Sequence, residues 1–366
     1  MTTKIAIAST LKPVIDPRTY EKIGRSLALS RLYEVHILGA SPSTGSPIDN
    51  IYLYPIATIN DSLGRLFMPW KILLLLFRIR PQTLIITTHE LLIIGTVYKL
   101  ISGAKLIYDI QENYFFNLLY QNNYPWGLRH ILAFYVRFKE VFLAIFINHF
   151  LLAERCYADE INFIKQRYTI LENKFIEPEI ELKKQENSPT ELILSGTISK
   201  EYGVFDTLQF FKQLSASDCR LTIVGHCPNN QTFSKLINAV KGINNITLKV
   251  SVSPVPHQEI LSYLGTNSIG LLPYQVNKST KNKLPTKLFE YIGLGIPVLI
   301  SNNPGWNKII ERYHAGHSID FNSPITLTDI SRCLTLNKSR QLIDLKEIMW
   351  INEESKLLTV VHNLNN

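Results

Sequence analysis

Short apolar segments alternate with helix-length segments along almost the whole chain, and this alternation constrains the fold more than any other feature. Three segments of the first half have the length and pattern of helices: 18–31, 91–102 and 127–147. Strands are predicted around them at 4–8, 33–39, 51–56, 83–88 and 105–109. Strands that are apolar almost throughout and separated by helices are typical of a parallel sheet covered on both faces. The first half is therefore predicted to be an α/β domain.

The alternation stops at a charged, proline-containing segment and then starts again. Residues 174–190 form this break, and we predict that they are a linker. Strands are predicted after it at 192–196, 220–225, 246–250, 268–274, 296–301 and 317–321. A chain of 366 residues is too long for one ordinary core. We therefore predict two α/β domains, at 1–173 and 191–350, followed by a C-terminal helix within 351–366.

The chain is basic, with a net charge of +8, and part of the excess lies in one apolar stretch. Residues 65–80 contain no acidic side chain, and around Trp70 they carry four basic ones: Arg65, Lys71, Arg78 and Arg80. Such a stretch is typical of a segment that lies on an anionic membrane surface. It also fits a buried helix with solvated ends, and the sequence leaves both interpretations open. Nucleic acid is a poorer explanation, because no basic run interleaved with aromatic residues recurs elsewhere.

The sequence does not predict secretion, a disulfide framework or a metal centre. The four cysteines are scattered without a CxxC pair and are interpreted as reduced thiols. The N-terminus enters a strand pattern directly, without an apolar signal segment, and no apolar run reaches the roughly 20 residues of a membrane span. Histidines and carboxylates do not cluster in a metal-binding pattern. We therefore expect a cytoplasmic protein that needs no metal.

The stretch "LPTKLFEYIGLGIPVLIS", residues 284–301, has the features of an anion-binding helix N-terminus. Pro285 suits the first turn of a helix, since its missing N–H would have no partner there. Lys287 then lies among the free backbone amides, where the helix dipole and the ammonium both favour a phosphate. Glu290 follows on the same face, and a carboxylate there can accept both hydroxyls of a ribose. The plainer alternative is a surface ion pair, worth about 0.2–0.5 kcal/mol.

Two glycines and the absence of other phosphate motifs complete this interpretation. Gly293 and Gly295 allow the helix to stop abruptly and the backbone to enter strand 296–301 in close packing. The loop after the first strand lacks GxGxxG, and GxxxxGK[ST] is missing from the chain. These absences argue against a nicotinamide dehydrogenase and a P-loop protein. Ligands of parallel sheets bind outside the carboxyl ends of the strands, where residues 284–290 are expected.

Several stretches in the expected order resemble the retaining glycosyltransferases of the GT-B fold, a large family (glycosyl transferases group 1, family 4-like) that includes many bacterial envelope-sugar transferases. Residues 285–301 resemble the donor-site segment of that family, a Pro-x-Lys-x-x-Glu-Tyr helix followed by Gly-x-Pro-Val. The other similar stretches are 106–117, 151–161, 192–211, 221–229 and 267–274. Together they cover most of the chain, and it is their combination that is specific.

The resemblance implies two Rossmann-like α/β domains whose parallel sheets face each other across a cleft. The C-terminal domain would hold a nucleotide-diphosphate sugar and the N-terminal domain the acceptor, with the last helix, about 353–364, crossing back to the N-terminal domain. The implied reaction is retaining transfer of a sugar to a saccharide or lipid-linked saccharide in cell-envelope polysaccharide synthesis, without cofactor or metal. Contact of residues 65–80 with an anionic membrane would place the enzyme peripherally on the inner face of the cell membrane.

The resemblance and the pattern together assign candidate site residues. The catalytic candidates are Glu290, Lys287 and Asn282. The donor-binding candidates are Gly196, Thr197, Lys200, Tyr202, Ser253, Tyr274, Lys287 and Glu290. The acceptor-binding candidates are Asp16, Arg18, His89, Gln111 and Glu112. Asp16 is also a natural helix cap before Pro17, and Arg18 is expected either to face the cleft or to be exposed to solvent.

Four positions depart from the family pattern. Asn282 stands in place of the first of two family glutamates, so it could contact the transferred sugar only as a neutral hydrogen-bonding group. Thr197 and Tyr202 occupy the points where the family has Arg and Lys, which leaves the diphosphate to nearby lysines. Gln111 replaces a histidine and cannot act as a base. Retaining transfer needs no such base if the leaving diphosphate takes the proton, and stabilising that diphosphate would then be the largest catalytic contribution.

Two other functions stay open at this point. A nucleotide-sugar epimerase of the same fold would need acids or bases on both sides of the sugar, which Gln111 and Asn282 make less attractive. A degenerate, non-catalytic transferase subunit acting as a scaffold would explain the four departures. The sequence does not specify the donor nucleotide, the sugar, the acceptor, the linkage or the oligomeric state.

Overall fold

The structure is a computed structural model of the chain that divides into two compact units. The N-terminal unit comprises residues 1–173 and 350–366, and the C-terminal unit comprises residues 174–349. The structure describes residues 2–41, 48–58, 62–120, 124–178, 189–214, 219–277, 280–323, 330, 333–334 and 344–366. Most of the predicted linker, residues 179–188, therefore lies outside the described residues.

A seven-stranded parallel sheet forms the centre of the N-terminal unit. Its strands lie in the order β3-β2-β1-β4-β5-β6-β7. They are β1 (Thr3–Pro13), β2 (Tyr33–Ser41), β3 (Ile51–Thr58), β4 (Thr83–Ile86), β5 (Lys105–Ile110), β6 (His149–Leu152) and β7 (Tyr168–Ile170). The strand order reverses between β1 and β4, which in open α/β sheets is the point where ligands bind.

Helices cover this sheet on both faces. They are α1 (Arg25–Leu29), α2 (Ser62–Ile79), α3 (Leu92–Ser102), α4 (Tyr114–Tyr120), α5 (Trp126–Leu143) and α6 (Tyr157–Glu160). A π-helical segment, Pro17–Gly24, leads into α1, and Asp16 caps it by accepting hydrogen bonds from the amides of Arg18 and Thr19. The predicted cap at Asp16 with Pro17 in the first turn is confirmed. Helices α2 and α3 pack side by side, α3 also packs against α5, and all three contribute side chains to one core cluster on the same face of the sheet.

The last helix, α12 (Ile351–Asn365), groups with the N-terminal unit. The indole of Trp350 donates a hydrogen bond to Ser26 Oγ at 2.8 Å, just before this helix begins. Glu353 is fully buried, accepts the backbone amide of Glu172 at 3.1 Å and is paired with Lys356. These contacts fix the helix against the segment that closes the N-terminal unit.

The C-terminal unit has a six-stranded parallel sheet in the order β10-β9-β8-β11-β12-β13. Its strands are β8 (Thr190–Thr197), β9 (Cys219–His226), β10 (Ile246–Ser251), β11 (Ser268–Leu272), β12 (Val298–Ser301) and β13 (Gly316–Ile319). Its helices are α7 (Val204–Gln213), α8 (Asn230–Val240), α9 (His257–Leu261), α10 (Thr286–Gly293) and α11 (Pro304–Arg312). The strand order reverses between β8 and β11, so the carboxyl ends of these two strands are where a ligand site is expected.

The strands carry apolar side chains on both sides, which explains why helices cover both faces of this sheet. One core cluster joins one face of the sheet to α9, α10 and α11, and another joins the opposite face to α7 and α8. Within β8, Ile193 belongs to the first cluster, whereas Leu192 and Leu194 belong to the second. Periodicity of this kind is the signal on which the strand predictions rest, and every predicted strand is present.

Strands β6 and β7 and helices α4 and α6 of the N-terminal unit are absent from the predicted elements, and one further helix was left ambiguous. Strand β7 has only three half-buried residues and α4 only seven, so neither gives a clear periodic signal. Residues 65–80 lie mostly in helix α2, in which Met68, Ile72 and Leu76 face the core while Trp70 and Leu74 are exposed, so both interpretations of this stretch stay open. Within the described ranges, no helix combines the length and the apolar character that crossing a bilayer needs.

Candidate active site

Helix α10 is placed at the ligand-binding edge of the C-terminal sheet by its own sequence. Pro285 has an extended conformation and precedes the first helical residue, as its fixed φ favours. Tyr291 is fully buried, and its hydroxyl lies 2.8 Å from Ser195 Oγ near the end of β8. At Gly293 a Cβ atom would approach the ring of Phe175 to 2.1 Å, so only glycine fits there. These contacts hold one face of α10 against the sheet.

The carboxylate of Glu290 is hydrogen-bonded on both oxygens. Lys287 Nζ donates to Oε1 at 2.6 Å, and His257 Nε2 donates to Oε2 at 3.2 Å. The side chains of Glu290 and Lys287 are only 7% and 12% exposed, so their ion pair is not the exposed surface pair that the plainer interpretation assumes. Removing one member would leave a charge in a poorly hydrated place.

The surroundings keep Glu290 ionised. Burial alone would raise its pKa, because a charge is disfavoured away from water. The Lys287 ammonium and the His257 hydrogen bond outweigh burial and hold the pKa of Glu290 at about 2. An ionised carboxylate has further lone pairs on each oxygen and can accept hydrogen bonds from two hydroxyl groups.

The end of β8 brings a glycine against the side chain of Lys287. Gly196 has a φ of +105°, and a Cβ atom built on it would lie 3.3 Å from Lys287 Cε. Gly225, at the end of β9, approaches so closely that a Cβ atom there would lie 1.9 Å from the Gly196 carbonyl oxygen. Backbone groups near Lys287 are therefore accessible without intervening side chains, as sites that bind phosphate require.

Two predicted donor residues stack on each other at the strand-order reversal. The rings of Tyr202 and Tyr274 lie 4.4 Å apart at 26°, and Tyr274 also meets Trp306 edge-on at 5.4 Å. Tyr274 follows β11, and Tyr202 lies in the loop after β8. The stack therefore joins the carboxyl ends of the two strands between which a ligand is expected.

The other predicted donor residues lie in loops around this group. Thr197 and Lys200 are exposed after β8, and Ser253 is exposed after β10. The loop of Ser253 is held at Val252, whose carbonyl accepts a hydrogen bond from His226 Nε2 at 3.1 Å.

Asn282 lies in an exposed turn directly before α10. The carbonyls on either side of it, at Lys281 and Lys283, accept hydrogen bonds from Asn303 Nδ2 at 2.8 Å and Trp306 Nε1 at 2.6 Å. The N-terminal part of α11 therefore fixes the backbone of the turn. The amide of Asn282 is presented to solvent from a rigid position.

His257 is the residue that sequence reasoning missed. No feature of the sequence assigns it to the site, but it begins α9 and supplies the second hydrogen bond to Glu290. Its ring is 24% exposed, so it lies at the rim of the group rather than in the core. The position of α9 relative to α10 depends on the fold of the whole unit, and no local pattern indicated it.

In the N-terminal unit, the expectation for Arg18 is wrong. Its guanidinium is 3% exposed and forms a two-pronged salt bridge with Asp109, at 2.9 and 2.6 Å. It also donates to the carbonyl of Leu171 at 2.9 Å. Asp109 ends the buried strand β5 as a fully buried carboxylate, and Arg18 neutralises it. Arg18 is thus a structural residue that faces neither solvent nor an acceptor.

Gln111 and Glu112 follow β5 and are half-buried. Gln111 Nε2 donates to Asp109 Oδ2 at 2.9 Å, so it extends the Arg18–Asp109 group. Glu112 accepts a hydrogen bond from Asn117 Nδ2 at 2.6 Å. Gln111 therefore supports a buried ion pair, and Glu112 lies nearer the surface of the same edge.

His89 follows β4 at the strand-order reversal of the N-terminal sheet. Lys139 Nζ donates to its Nδ1 at 3.0 Å, and the ring of Tyr114 meets it edge-on at 4.7 Å. The neighbouring Glu90 accepts a hydrogen bond from Thr10, a residue of β1. Polar groups from β1, β4 and α5 therefore meet at the edge predicted for the acceptor.

Among the residues that the structure describes, no group of three or more His, Cys, Asp or Glu side chains is arranged to hold a metal ion.

A comparison with protein families identifies the C-terminal part of the chain. The family model described as "Glycosyl transferases group 1" matches residues 177–344, a range that contains Lys287 and Glu290. Residues 177–344 are therefore similar to the glycosyl transferases group 1 family. The match covers nearly all of the C-terminal unit, whose site geometry is described above. Among curated proteins, no significant match is found.

Solved structures resemble the chain over its full length. Sucrose-phosphate synthase from Thermosynechococcus elongatus gives a TM-score of 0.73 at 12% identity and covers 99% of both chains. HepE (Alr3699) from Anabaena, in complex with UDP-glucose, gives 0.64 at 13% identity, covering 98% of this chain and 99% of that one. The lipopolysaccharide outer core galactosyltransferase WaaB gives 0.51 at 14% identity, covering 97% and 94%. At such identities the likeness establishes the fold, which is GT-B.

Proposed function

We propose that this glycosyltransferase moves a sugar from a nucleotide-diphosphate donor to a saccharide or lipid-linked saccharide of the cell envelope, with retention at the sugar carbon. The observation that carries the proposal is the group formed by Glu290, Lys287 and His257 at the start of α10. Its ionised carboxylate, buried ammonium and adjacent glycine backbone match the hydroxyls and phosphates of a nucleoside diphosphate.

Each residue of the donor-binding site has a proposed role. Glu290 accepts the two ribose hydroxyls while His257 keeps its second oxygen oriented. The Lys287 ammonium, whose side chain lies beside the Gly196 backbone, interacts with the diphosphate as well as with Glu290. Among the exposed residues, Lys200 and Thr197 approach the phosphates, Ser253 lies beside the base, and Asn282 contacts the transferred sugar.

The proposed step balances without a protein base. The bond between the sugar carbon and the diphosphate oxygen breaks, and a bond forms from that carbon to the acceptor hydroxyl oxygen. The hydroxyl proton passes to the departing diphosphate on the same face of the sugar. The protein stabilises the charge that develops on the diphosphate, chiefly through Lys287. We propose that the protein's own lysines supply this charge and that no metal ion is required.

The names of structural relatives suggest which donors to test first. HepE has been solved with UDP-glucose, and WaaB is named as a galactosyltransferase. Uridine diphosphate sugars are therefore the first candidates, with guanosine diphosphate sugars as the comparison. Tyr202 and Tyr274 lie in loops at the same edge and would line the donor site.

The acceptor is assigned to the N-terminal unit. Arg18 belongs to the buried ion pair and is not proposed to bind the acceptor. The polar groups proposed to bind it instead lie near the strand-order reversal: His89, Glu90 and Glu112. Gln111 contributes indirectly through Asp109, and Asp16 acts as a helix cap. We propose that the enzyme works at the cytoplasmic face of the membrane. The contact is made by exposed Trp70, Lys71 and Arg78 of α2 and by Arg80, which follows the helix. The side chain of Arg65 lies outside the described residues.

The proposal is tested by adding nucleoside diphosphates and nucleotide sugars to the purified full chain. A nucleotide at about 100 times its dissociation constant stabilises the protein by about 2.7 kcal/mol, which raises the melting temperature. Sugar transfer to lipid-linked saccharides is then followed by mass spectrometry, with and without EDTA. We expect UDP or GDP to raise the melting temperature and EDTA to leave transfer unchanged.

Three outcomes would contradict parts of the proposal. If no nucleoside diphosphate stabilises the protein, Glu290 and Lys287 do not form a donor site. If epimerised nucleotide sugar appears without an acceptor, the enzyme is an epimerase. If Glu290→Ala still restores glycan synthesis in a deletion strain, the chain serves as a scaffold.

A further inference from the structure

Helix α5 exposes a continuous apolar stripe. Its members recur at spacings of three and four residues and therefore lie on one face of the helix: Ile131, Phe134, Tyr135, Phe138, Val141, Phe142 and, just beyond the helix, Ile145. Phe138 is 70% exposed and Ile145 is 72% exposed. At roughly 100 Å² for each exposed side chain, the stripe is on the order of several hundred Å², at the upper limit for a soluble monomer.

Neighbouring helices continue this stripe into a broad surface. Helix α3 packs against both α2 and α5, and the three helices share one face of the sheet. Their outward sides expose further apolar residues: Phe67, Trp70, Leu74 and Phe77 on α2, and Ile93, Val97, Leu100 and Ile101 on α3. We call the exposed apolar side chains of α2, α3 and α5, with Ile145, the three-helix face.

The charges of these helices are almost all positive. Their sequences contain seven Lys and Arg residues and one acidic residue, Glu140; among the described side chains, Lys71 and Arg78 are the exposed bases, whereas Lys99, Arg129 and Arg137 are half-buried and Lys139 is buried. Glu140 is buried and accepts a hydrogen bond from Tyr108, so it does not contribute a negative charge to the surface. Lys71 and Arg78 are exposed between the apolar residues of α2. Long basic side chains can reach outward from such positions while their stems lie on apolar neighbours.

We propose that the three-helix face docks on an anionic lipid surface, with α5 as the helix that enters the interface. The inference deepens the membrane contact proposed for residues 65–80 and rests on that part of the proposed function. It makes α5, which carries more exposed aromatic residues than α2, the principal element. Apolar area, exposed aromatic side chains and exposed basic residues without exposed acidic ones are together typical of helices that lie in the plane of a membrane.

The same charges argue against a second copy of the chain as the occupant. A two-fold dimer would place this face against itself. The exposed Lys71 and Arg78 would then meet like charges, with no exposed acid among the described residues of the three helices to pair with them. Anionic lipid headgroups complement these bases, and the acyl region accepts the apolar stripe.

Tryptophan fluorescence provides a direct test, because the chain has only four tryptophans. Trp306 and Trp350 are buried, whereas Trp126 at the start of α5 and Trp70 on α2 are exposed. In a Trp70→Phe protein, Trp126 is therefore the exposed reporter. We expect its emission to shift to the blue with vesicles of phosphatidylcholine and phosphatidylglycerol, and to be quenched when the lipids are brominated.

A flotation experiment then tests the stripe itself on the full chain, without donor or acceptor. The triple variant Ile131→Gln, Phe138→Gln, Phe142→Gln is compared with the control Ile237→Gln, Val276→Gln, which removes exposed apolar residues from the C-terminal unit. We expect partition onto anionic vesicles to fall about 100-fold for the triple variant and to be unchanged for the control. Phosphatidylcholine alone, or high salt, should weaken binding of the unaltered protein.

The possible failures are distinguishable. If the triple variant floats like the control while Trp70→Gln, Leu74→Gln abolishes binding, the α2 contact stands and the role of α5 is wrong. If the unaltered protein does not float, both membrane proposals fail, while nucleotide stabilisation still tests the donor site. If the unaltered chain is a dimer that the triple variant dissociates, the face binds a second copy instead. Circular dichroism and melting temperature confirm that each variant is folded.

Discussion

The two units are built on similar parallel sheets but differ in what their helices present to solvent. In the N-terminal unit, α2, α3 and α5 expose the three-helix face. In the described part of the C-terminal unit, the large apolar side chains that are exposed are Ile237 and Val276. Helix α8, which carries Ile237, otherwise turns polar residues such as Lys235 and Asn238 outward. The same architecture therefore exposes mainly polar side chains on the helices of one unit and many apolar side chains on those of the other.

The units also differ in how they use buried charge. In the C-terminal unit, Glu290 and Lys287 lie at the ligand edge and retain partial exposure. In the N-terminal unit, Arg18 and Asp109 form a pair that is almost completely buried and completed by a backbone carbonyl. The first arrangement keeps groups available for a ligand, whereas the second satisfies charges that have no access to one. Substitutions at these two pairs test this difference between the units, when stability and activity are measured separately.

The largest expected effect is on stability, at Arg18. Replacing Arg18 by Met leaves the Asp109 carboxylate buried without its partner, which costs about 3–5 kcal/mol. We expect calorimetry to show a large fall in the melting temperature of the N-terminal unit. The double variant Arg18→Met, Asp109→Leu should recover part of the loss, because it removes both charges.

The structural role of the Arg18–Asp109 pair would be contradicted if Arg18→Met left the melting temperature unchanged and raised the KM for the acceptor. That result would make Arg18 an accessible acceptor residue, as the sequence suggested. Arg155→Met is a suitable control, since Arg155 also pairs with a buried glutamate, Glu172, but is itself 64% exposed. A smaller loss is expected there because the exposed position is hydrated.

The next largest effect is on activity, at Glu290. Glu290→Gln removes the charge that we propose accepts hydrogen bonds from two hydroxyls, and it leaves Lys287 without its charged partner. Hydrogen bonds to a charged group contribute about 1.5–3 kcal/mol, so kcat/KM is expected to fall about 100-fold. The stabilisation by nucleoside diphosphate should fall in parallel. Glu259→Gln, an exposed carboxylate on α9, is the matched control and should retain activity.

If Glu290→Gln lost stability but kept its kcat/KM, the Glu290 group would be structural, like the Arg18 pair. The two units would then use buried charge in the same way. His257→Gln sharpens the result, because a glutamine amide can still donate to Glu290 Oε2. We expect a smaller loss of activity for that variant than for Glu290→Gln.

Much of the fold could be predicted because the strands are fully buried. A strand covered on both faces needs apolar residues throughout, and this leaves a signal in short windows such as 4–8 and 268–274. Helix α10 was predictable for a related reason, since a proline before its first residue and glycines at its end are local sequence signals. Lys287 and Glu290 lie within one turn of that helix, so their pairing was visible too.

Contacts between distant segments could not be predicted in this way. His257 is 33 residues from Glu290, and Arg18 is 91 residues from Asp109. Their pairing depends on the strand order, which local periodicity does not specify. Helix α5 was predicted, but the orientation of its faces was not, because a helix that is apolar on most sides gives no clear signal for which side is exposed. In the structure, Lys139 and Glu140 turn inward while its large aromatic residues turn outward.

The inward carboxylate of α5 gives the smallest predicted effect. Burial raises the pKa of Glu140 to about 7, against opposing contributions from Arg137, Tyr108 and Lys139. Between the ordinary pKa and about 7, the folded protein holds a proton that the unfolded chain has lost, so stability falls as the pH rises through this window. From pH 5.5 to pH 8 the loss is about 2 kcal/mol.

Glu140→Gln should remove this pH dependence, because a glutamine remains neutral. We expect the difference in melting temperature between Glu140→Gln and the unaltered protein to shift in favour of the variant when the pH rises from about 5.5 to about 8. Glu311→Gln, an exposed carboxylate on α11, should show no such shift. If Glu140→Gln behaves like that control, Glu140 is ionised and hydrated at both pH values. It would then add a negative charge to the surface of α5, and the contrast in charge between the two units would weaken where the membrane proposal needs it.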